Sequence, residues 1–179
     1  MSFDPSALTL RTRAGSDSLI QLIYRSTSVS GANSAMQMSD ILAQARPRNA
    51  RLGVTGVLTV VNGDFLQVIE GPEAGINALL ISLVRDGRHS HIRVLEHRPV
   101  SGRAFGDWDM VSPRLADLEA AQIALLLAAD VSDLETYIPL LQRAISHQDA
   151  VLEGLASDDR KGASFRSQAL PRSDAERGT

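Results

Sequence analysis

Residues 63–71, Gly-Asp-Phe-Leu-Gln-Val-Ile-Glu-Gly (GDFLQVIEG), carry the pattern that decides the fold. Side chains along a strand alternate between faces. Phe65, Gln67 and Ile69 therefore share one face, and Leu66 and Val68 the other. Both faces are apolar, so something must cover each of them. Upstream, Val54–Val61 (VTGVLTVV) reads as a partner strand, and Asn62-Gly63 is a two-residue hairpin signal. Gly71-Pro72 ends the return strand, Asp64–Glu70.

Further outward, Leu19–Tyr24 (LIQLIY) is a short run rich in β-favouring residues and is predicted as a strand. Ser34 caps a predicted helix that runs to Pro47 or Arg48, with Met38, Ile41, Leu42 and Ala45 at helical spacing. A second helix is predicted from Glu73 to Val84 or Arg85, with Ile76, Leu79, Leu80 and Leu83 on one face. His91–Pro99 alternates as a strand, and Trp108–Val111 is a short final one. The order is βαββαββ, which implies an α+β, ferredoxin-like sheet with both helices on one face. Two C-terminal helices, Leu115–Ala129 and Asp133–Leu155, are the expected cover of the other face. The domain reading is a flexible lead over 1–16, a core domain over 17–112 and a helical extension over 113–156. Residues 157–179, rich in Ser, Arg and Asp, read as a disordered tail.

Composition narrows the function. The chain has 179 residues, of which 44% are hydrophobic, enough for an unstapled core. There is no cysteine. Disulfides, thiolate metal sites, a Cys nucleophile and a cysteinyl cofactor link are excluded. A net charge of −3 and a pI near 5.8 argue against a nucleic-acid binder. No apolar run approaches the roughly 18 residues of a membrane span. The N-terminus has no basic-then-apolar signal pattern. The expectation is a soluble cytoplasmic protein. Phosphate-loop, dinucleotide, zinc-protease and serine-elbow templates all fail, and no paired carboxylate accompanies Glu70. No enzyme activity is expected.

Polar residues on apolar faces are the candidates for a site. Gln67 stands between Phe65 and Ile69, and an unpaired buried amide costs roughly 1–3 kcal/mol. Tyr24 shares the face of Ile20 and Leu22, and its hydroxyl also needs a partner. In this topology the first and third strands are the central pair, so Tyr24 and Gln67 are expected neighbours. From pattern alone they either serve a ligand or only bond each other. Asn49 is placed just after the first helix, where a turn role is the plain alternative. Arg88 and His89 follow the second helix. His89 and His91 have no further ligand nearby, so no metal site is expected. Trp108 and Met110 share a face of the last strand, where core filling is the plain alternative.

Taken in series, five segments resemble the BLUF family of flavin photosensors. They are LIYRS with Tyr24 and Ser26, ILAQARPRNARLGVTGVL with Asn49, GDFLQVIEG with Gln67, RDGRHSHIRVL with Arg88 and His89, and RAFGDWDM with Trp108 and Met110. The resemblance covers residues 17–112. It implies a blue-light photoreceptor with non-covalent FAD, FMN or riboflavin being possible, its ring held between the two helices. Tyr24, Asn49, Gln67 and Met110 would surround the ring, and Arg88 and His89 would be flavin-binding. It also implies the two added helices of short members without an effector domain. One departure is that Asn49 is followed by Ala50, where many members have two Asn in tandem. Trp108 stands where members differ, so its place in or out of the pocket stays open.

The residue types suit that role. A flavin edge offers N3–H as donor and C4=O and N5 as acceptors, and an amide offers both capacities. Asn49 would lock the N3/C4 edge, and Gln67 would bridge Tyr24 to N5 or C4=O. Light would move an electron and a proton from Tyr24 by way of Gln67. Gln67 would be left rotated or tautomerised, with a new bond to C4=O and a small red shift. Gln67, Trp108 and Met110 would relay the change through the last strand to the C-terminal helices. Arg48 and Arg51, with Arg88 and His89, are candidate contacts for the flavin tail or plain surface charge. A downstream protein partner in trans is expected, together with a homo-oligomer formed through the C-terminal helices or a sheet face. The alternatives are a ferredoxin-like regulatory module without chromophore and a flavin enzyme.

Overall fold

A computed structural model describes residues 18–29, 35–106 and 110–166. Strand β1 spans Leu19–Ser28, helix α1 Ala35–Leu52, β2 Thr55–Val61, β3 Asp64–Pro72, α2 Glu73–Val84 and β4 His89–Pro99. Helices α3 (Asp117–Ala128) and α4 (Leu134–Arg166) follow. The sheet order is β2-β3-β1-β4, antiparallel throughout. β1 and β3 are thus the central pair, and their register sets Tyr24 opposite Gln67.

The two apolar faces of β3 are buried in two separate cores. On one side Ile20, Leu22, Phe65 and Ile69 pack with Ile41 and Leu42 of α1 and Ile76, Leu79, Leu80 and Leu83 of α2. On the other, Ile23, Leu66 and Val68 pack with Phe105, Ile123 and Leu127 of α3, and Tyr137 and Leu141 of α4. The ferredoxin-like expectation, two helices per face, is met. The chain forms two units, one ending at Ile145 and one from Ser146.

Several boundaries differ from the sequence reading. β1 runs past Tyr24 to Ser28, and β4 begins at His89 rather than His91. Helix α1 does not stop at Pro47 but carries it inside. Proline removes one N–H from the ladder and normally breaks a helix, yet here the stop is Gly53. Its φ of 63° is the left-handed conformation of a helix end. Gly53 N–H donates to Ala50 O at 3.1 Å and Val54 N–H to Asn49 O at 2.9 Å, closing the last carbonyls. Asn49 therefore belongs to the final turns of α1, not to the loop after it.

Of the expected last strand, Trp108–Val111, residues 108 and 109 lie outside the described residues, and Val111 makes a parallel bridge with Val57. It is held by Val111 N–H to Gly56 O at 3.0 Å and Leu58 N–H to Val111 O at 2.9 Å. Trp108 lies outside the described residues, as does the expected flexible lead over 1–16. Helix α4 continues to Arg166, so residues 157–166 are helical where a disordered tail was expected. Strong helix formers such as Ala156, Arg160 and Lys161 extend an established helix at little cost. The rest of that tail, 167–179, lies outside the described residues.

Gly75 sets how closely α2 approaches the end of α1. A Cβ there would lie 2.3 Å from Leu52 O, a backbone atom that cannot turn away. In an isolated helix Gly→Ala gains about 1 kcal/mol. Here overpacking should reverse the sign. Gly75→Ala is expected to destabilise the fold by roughly 1–3 kcal/mol in urea denaturation; a stabilised variant would show that the helices separate freely.

Candidate functional site

The site begins with a phenol and an amide that have no water to turn to. Tyr24 is fully buried and Gln67 is 6% exposed. The Tyr24 hydroxyl donates to Gln67 Oε1. At the other end of the amide, Nε2 donates to Met110 Sδ at 3.2 Å. The network fixes the amide's orientation. A thioether only accepts, so the NH₂ must face Met110 and the oxygen must face Tyr24. Burial pushes the Tyr24 phenol well above its ordinary pKa, with Arg48 opposing and Asp86 adding to the shift. It is a neutral phenol at any physiological pH.

Gln67 lines a crevice between α1 and α2. Ile41, Leu58, Leu79 and Leu83 give it apolar walls, and Arg48, Asn49, Asp86, Arg88 and His89 stand around them. Asn49 is 1% exposed on α1. Arg48 reaches across from α1 and donates to Ser82 Oγ of α2. Its Nε is buried with no hydrogen-bond partner among the described residues. The crevice encloses about 70 Å³.

At its end, Arg88 Nη2 pairs with Asp86 at 2.6 Å. The bond from Arg88 holds the Asp86 carboxyl below its usual range, and the same bond raises the guanidinium. His89 Nδ1 lies 3.0 Å from Ser26 Oγ, and its ring packs on Phe65 with centroids 4.7 Å apart. Burial lowers the His89 pKa, opposed by Asp86 and reinforced by Arg88.

The sequence profile of the family described as BLUF, sensors of blue light using FAD, matches residues 19–111. The chain belongs to the BLUF family. Among curated BLUF relatives it is 35% identical over 111 residues to the photoactivated adenylate cyclase subunit beta of Euglena longa. That alignment takes in 59% of this chain and 13% of the relative, so the chain spans a small part of the curated relatives' length. The dark-state structure of BlrB, a BLUF protein, is 32% identical with a TM-score of 0.58, covering 74% of this chain and 98% of that one. Klebsiella pneumoniae BlrP1 with FMN and cyclic diGMP is 28% identical with a TM-score of 0.50, over 60% of this chain and 29% of that one. BLUF domains bind flavin, and the residue types around this crevice suit one. The orphaned Arg48 Nε and the buried amides of Asn49 and Gln67 are hydrogen-bonding groups around apolar walls, as a polar-edged flat ring needs.

Of the residues singled out from sequence, the BLUF fold brings Tyr24, Gln67 and Met110 into one bonded chain. Asn49, Arg88 and His89 line the crevice beside them. Arg51 is exposed and does not line it. Asp86 was missed; its position two residues before Arg88, beside Gly87, was the available signal. The Ser26–His89 contact has no local signature, because β1 and β4 create it. No His, Cys, Asp or Glu cluster suited to a metal occurs among the described residues.

His89 should make stability depend on pH. Its folded-state pKa is depressed, so below about pH 6.5 the unfolded chain takes up the proton first. Stability is then present above that pH and is lost as pH falls through the window down to the folded value. In urea denaturation at pH 7.5 and 5.5, wild type should lose more stability than His89→Gln; equal losses would assign the dependence to other groups.

Proposed function

We propose that this chain is a soluble, cytoplasmic blue-light receptor that holds FAD non-covalently in the α1–α2 crevice and reads the light through Tyr24 and Gln67. The observation that carries the reading is the buried Tyr24–Gln67–Met110 chain, whose central amide lines a crevice in a BLUF domain. Asn49 and Gln67 are the residues to hold the polar edge of the ring, with Arg48, Arg88 and His89 toward the tail. When bound, the flavin supplies a strong oxidant on excitation and a ring edge with N3–H, N5 and C4=O.

The protein's part starts at Tyr24. Its phenol is an oxidisable side chain, and on losing an electron its hydroxyl proton becomes strongly acidic. Gln67 Oε1 already accepts that proton, so the route out begins at an existing bond. A dry site favours this coupling, because a bare phenolate is heavily disfavoured there. On the proton's return the Gln67 amide settles rotated or tautomerised. Rotation of the amide removes the Nε2–Sδ bond to Met110, since a thioether has no hydrogen to donate to the amide oxygen. Met110, with Trp108 near it in sequence, relays the change to the C-terminal helices and to a protein partner in trans. Leu118 and Leu125 on α3 are 69% and 70% exposed, an apolar surface suited to such a partner or to a second copy.

A second reading, a BLUF-fold module that takes up no chromophore, draws on one observation: Arg48 and Ser82 bridge a narrow crevice. Purification with added flavin separates the two. The yellow protein should release FAD on denaturation, identified by chromatography; FMN or riboflavin would revise the cofactor, and colourless protein would favour the module. Under blue light the absorption should shift red by several nanometres and return in the dark. Tyr24→Phe and Gln67→Leu are each expected to keep the flavin and lose the shift. A normal shift in either would defeat the Tyr24–Gln67 scheme.

A further inference from the structure

We infer that Ser26 is a positioning residue that holds the His89 ring as its Nε2–H tautomer and so makes His89 an uncharged hydrogen-bond donor to a ligand in the α1–α2 crevice. The donor role rests on the flavin reading above; the tautomer does not. Ser26 is 1% exposed on β1, two residues from Tyr24 and on the same face. β3 sets Phe65 opposite Ser26, as it sets Gln67 opposite Tyr24. The main chain of β4 pairs His89 with Ser28. The ring reaches diagonally back, which brings Nδ1 to 3.0 Å from Ser26 Oγ and sets the ring at 38° to that of Phe65.

A count of donors and acceptors decides where the proton sits. Among the described residues Ser26 Oγ has one hydrogen-bond partner, His89 Nδ1. If Nδ1 carried the proton, it would donate to Oγ, and the hydroxyl proton would be left buried with nothing to accept it. Such an orphan disfavours that tautomer roughly tenfold or more. If Nδ1 is bare, the hydroxyl donates to it and both groups are satisfied. The neutral ring then carries its proton on Nε2. That nitrogen makes no hydrogen bond among the described residues, and His89 lines the crevice together with Asn49 and Gln67. The ring's remaining donor is thus available to a carbonyl, hydroxyl or phosphate oxygen of a bound flavin.

The same contact resists charge. An imidazolium has N–H on both nitrogens, so Nδ1 would meet the Ser26 hydroxyl as a second donor. The surroundings add little in its favour. β1 contributes Tyr24, a neutral phenol, and β3 contributes Phe65. α1 contributes Arg48, a like charge. After α2, Asp86 is the one carboxylate lining the crevice among the described residues, and Arg88 is paired with it. Burial lowers the His89 pKa, opposed by Asp86 and reinforced by Arg88. A ligand in the crevice therefore meets the same neutral donor as pH falls through the ordinary histidine range.

The test uses the full chain with nitrogen-15 histidine, in the dark, both stripped of flavin and loaded with FAD. Ring-nitrogen shifts report the tautomer and titration of each histidine, and His89→Gln assigns the signal. Wild-type His89 should hold the Nε2–H form in roughly tenfold excess or more and should titrate below ordinary histidine. Loading FAD should move the Nε2 signal. Ser26→Ala should lower the tautomer excess several-fold and raise the titration point, and Ser26→Thr, which keeps the hydroxyl, should restore both. Whether or not Ser26→Ala folds, a proton on Nδ1 in wild type would overturn the assignment. A folded Ser26→Ala protein with wild-type tautomer and titration would do the same. An Nε2 signal that FAD leaves in place would overturn the donor role. Protein that takes up no flavin would remove the flavin reading and the donor role with it, while the same spectra still decide the tautomer.

Discussion

A strand pair covered on both faces leaves every polar side chain within it dependent on protein partners, since no water is at hand to satisfy it. β1 and β3 form such a pair, with α1 and α2 on one side and α3 and α4 on the other. The residues that break their apolar pattern are therefore few and fully committed. Tyr24 and Gln67 bond across the pair on one face, while Gln21 and Glu70 bond across it on the other. The register that sets Tyr24 opposite Gln67 also sets Gln21 opposite Glu70. A slip by one residue would exchange the two faces and bury four polar groups against the wrong helices.

The BLUF site inherits its character from this constraint. Its phenol is kept protonated chiefly by burial, with Asp86 adding to the effect, and its amide is oriented by a sulfur that offers no alternative. The charged residues are held at the mouth of the crevice, where Asp86 pairs with Arg88 and Arg48 spans to Ser82. The interior stays low in dielectric, which is the condition under which moving an electron and a proton together is favoured over moving either alone.

How much of this was legible in the sequence follows from which interactions are local. The double apolar face of GDFLQVIEG announced a central, two-sided strand, and period two placed Gln67 and Tyr24 on core faces. Their pairing then followed from topology. Asn49 was placed on the wrong side of a helix end because Pro47 is a stronger textual stop than Gly53, although the left-handed glycine ends the helix. Glu70 looked like an acid without a partner. Its donors are backbone N–H groups of Ala104 and Phe105, which leave no mark in side-chain letters.

The margins of the sheet have a bearing on aggregation. On one margin Val111 already occupies backbone groups of Gly56 and Leu58. On the other, β4 carries a register break against β1, and His91 sits there at φ 50°. Arg93, Glu96 and Arg98 add charge along that border. An incoming strand would meet a taken backbone on one flank and a kinked, charged ribbon on the other, the usual means of discouraging open-ended stacking. Copies of this chain that meet are thus steered away from continuous sheet growth.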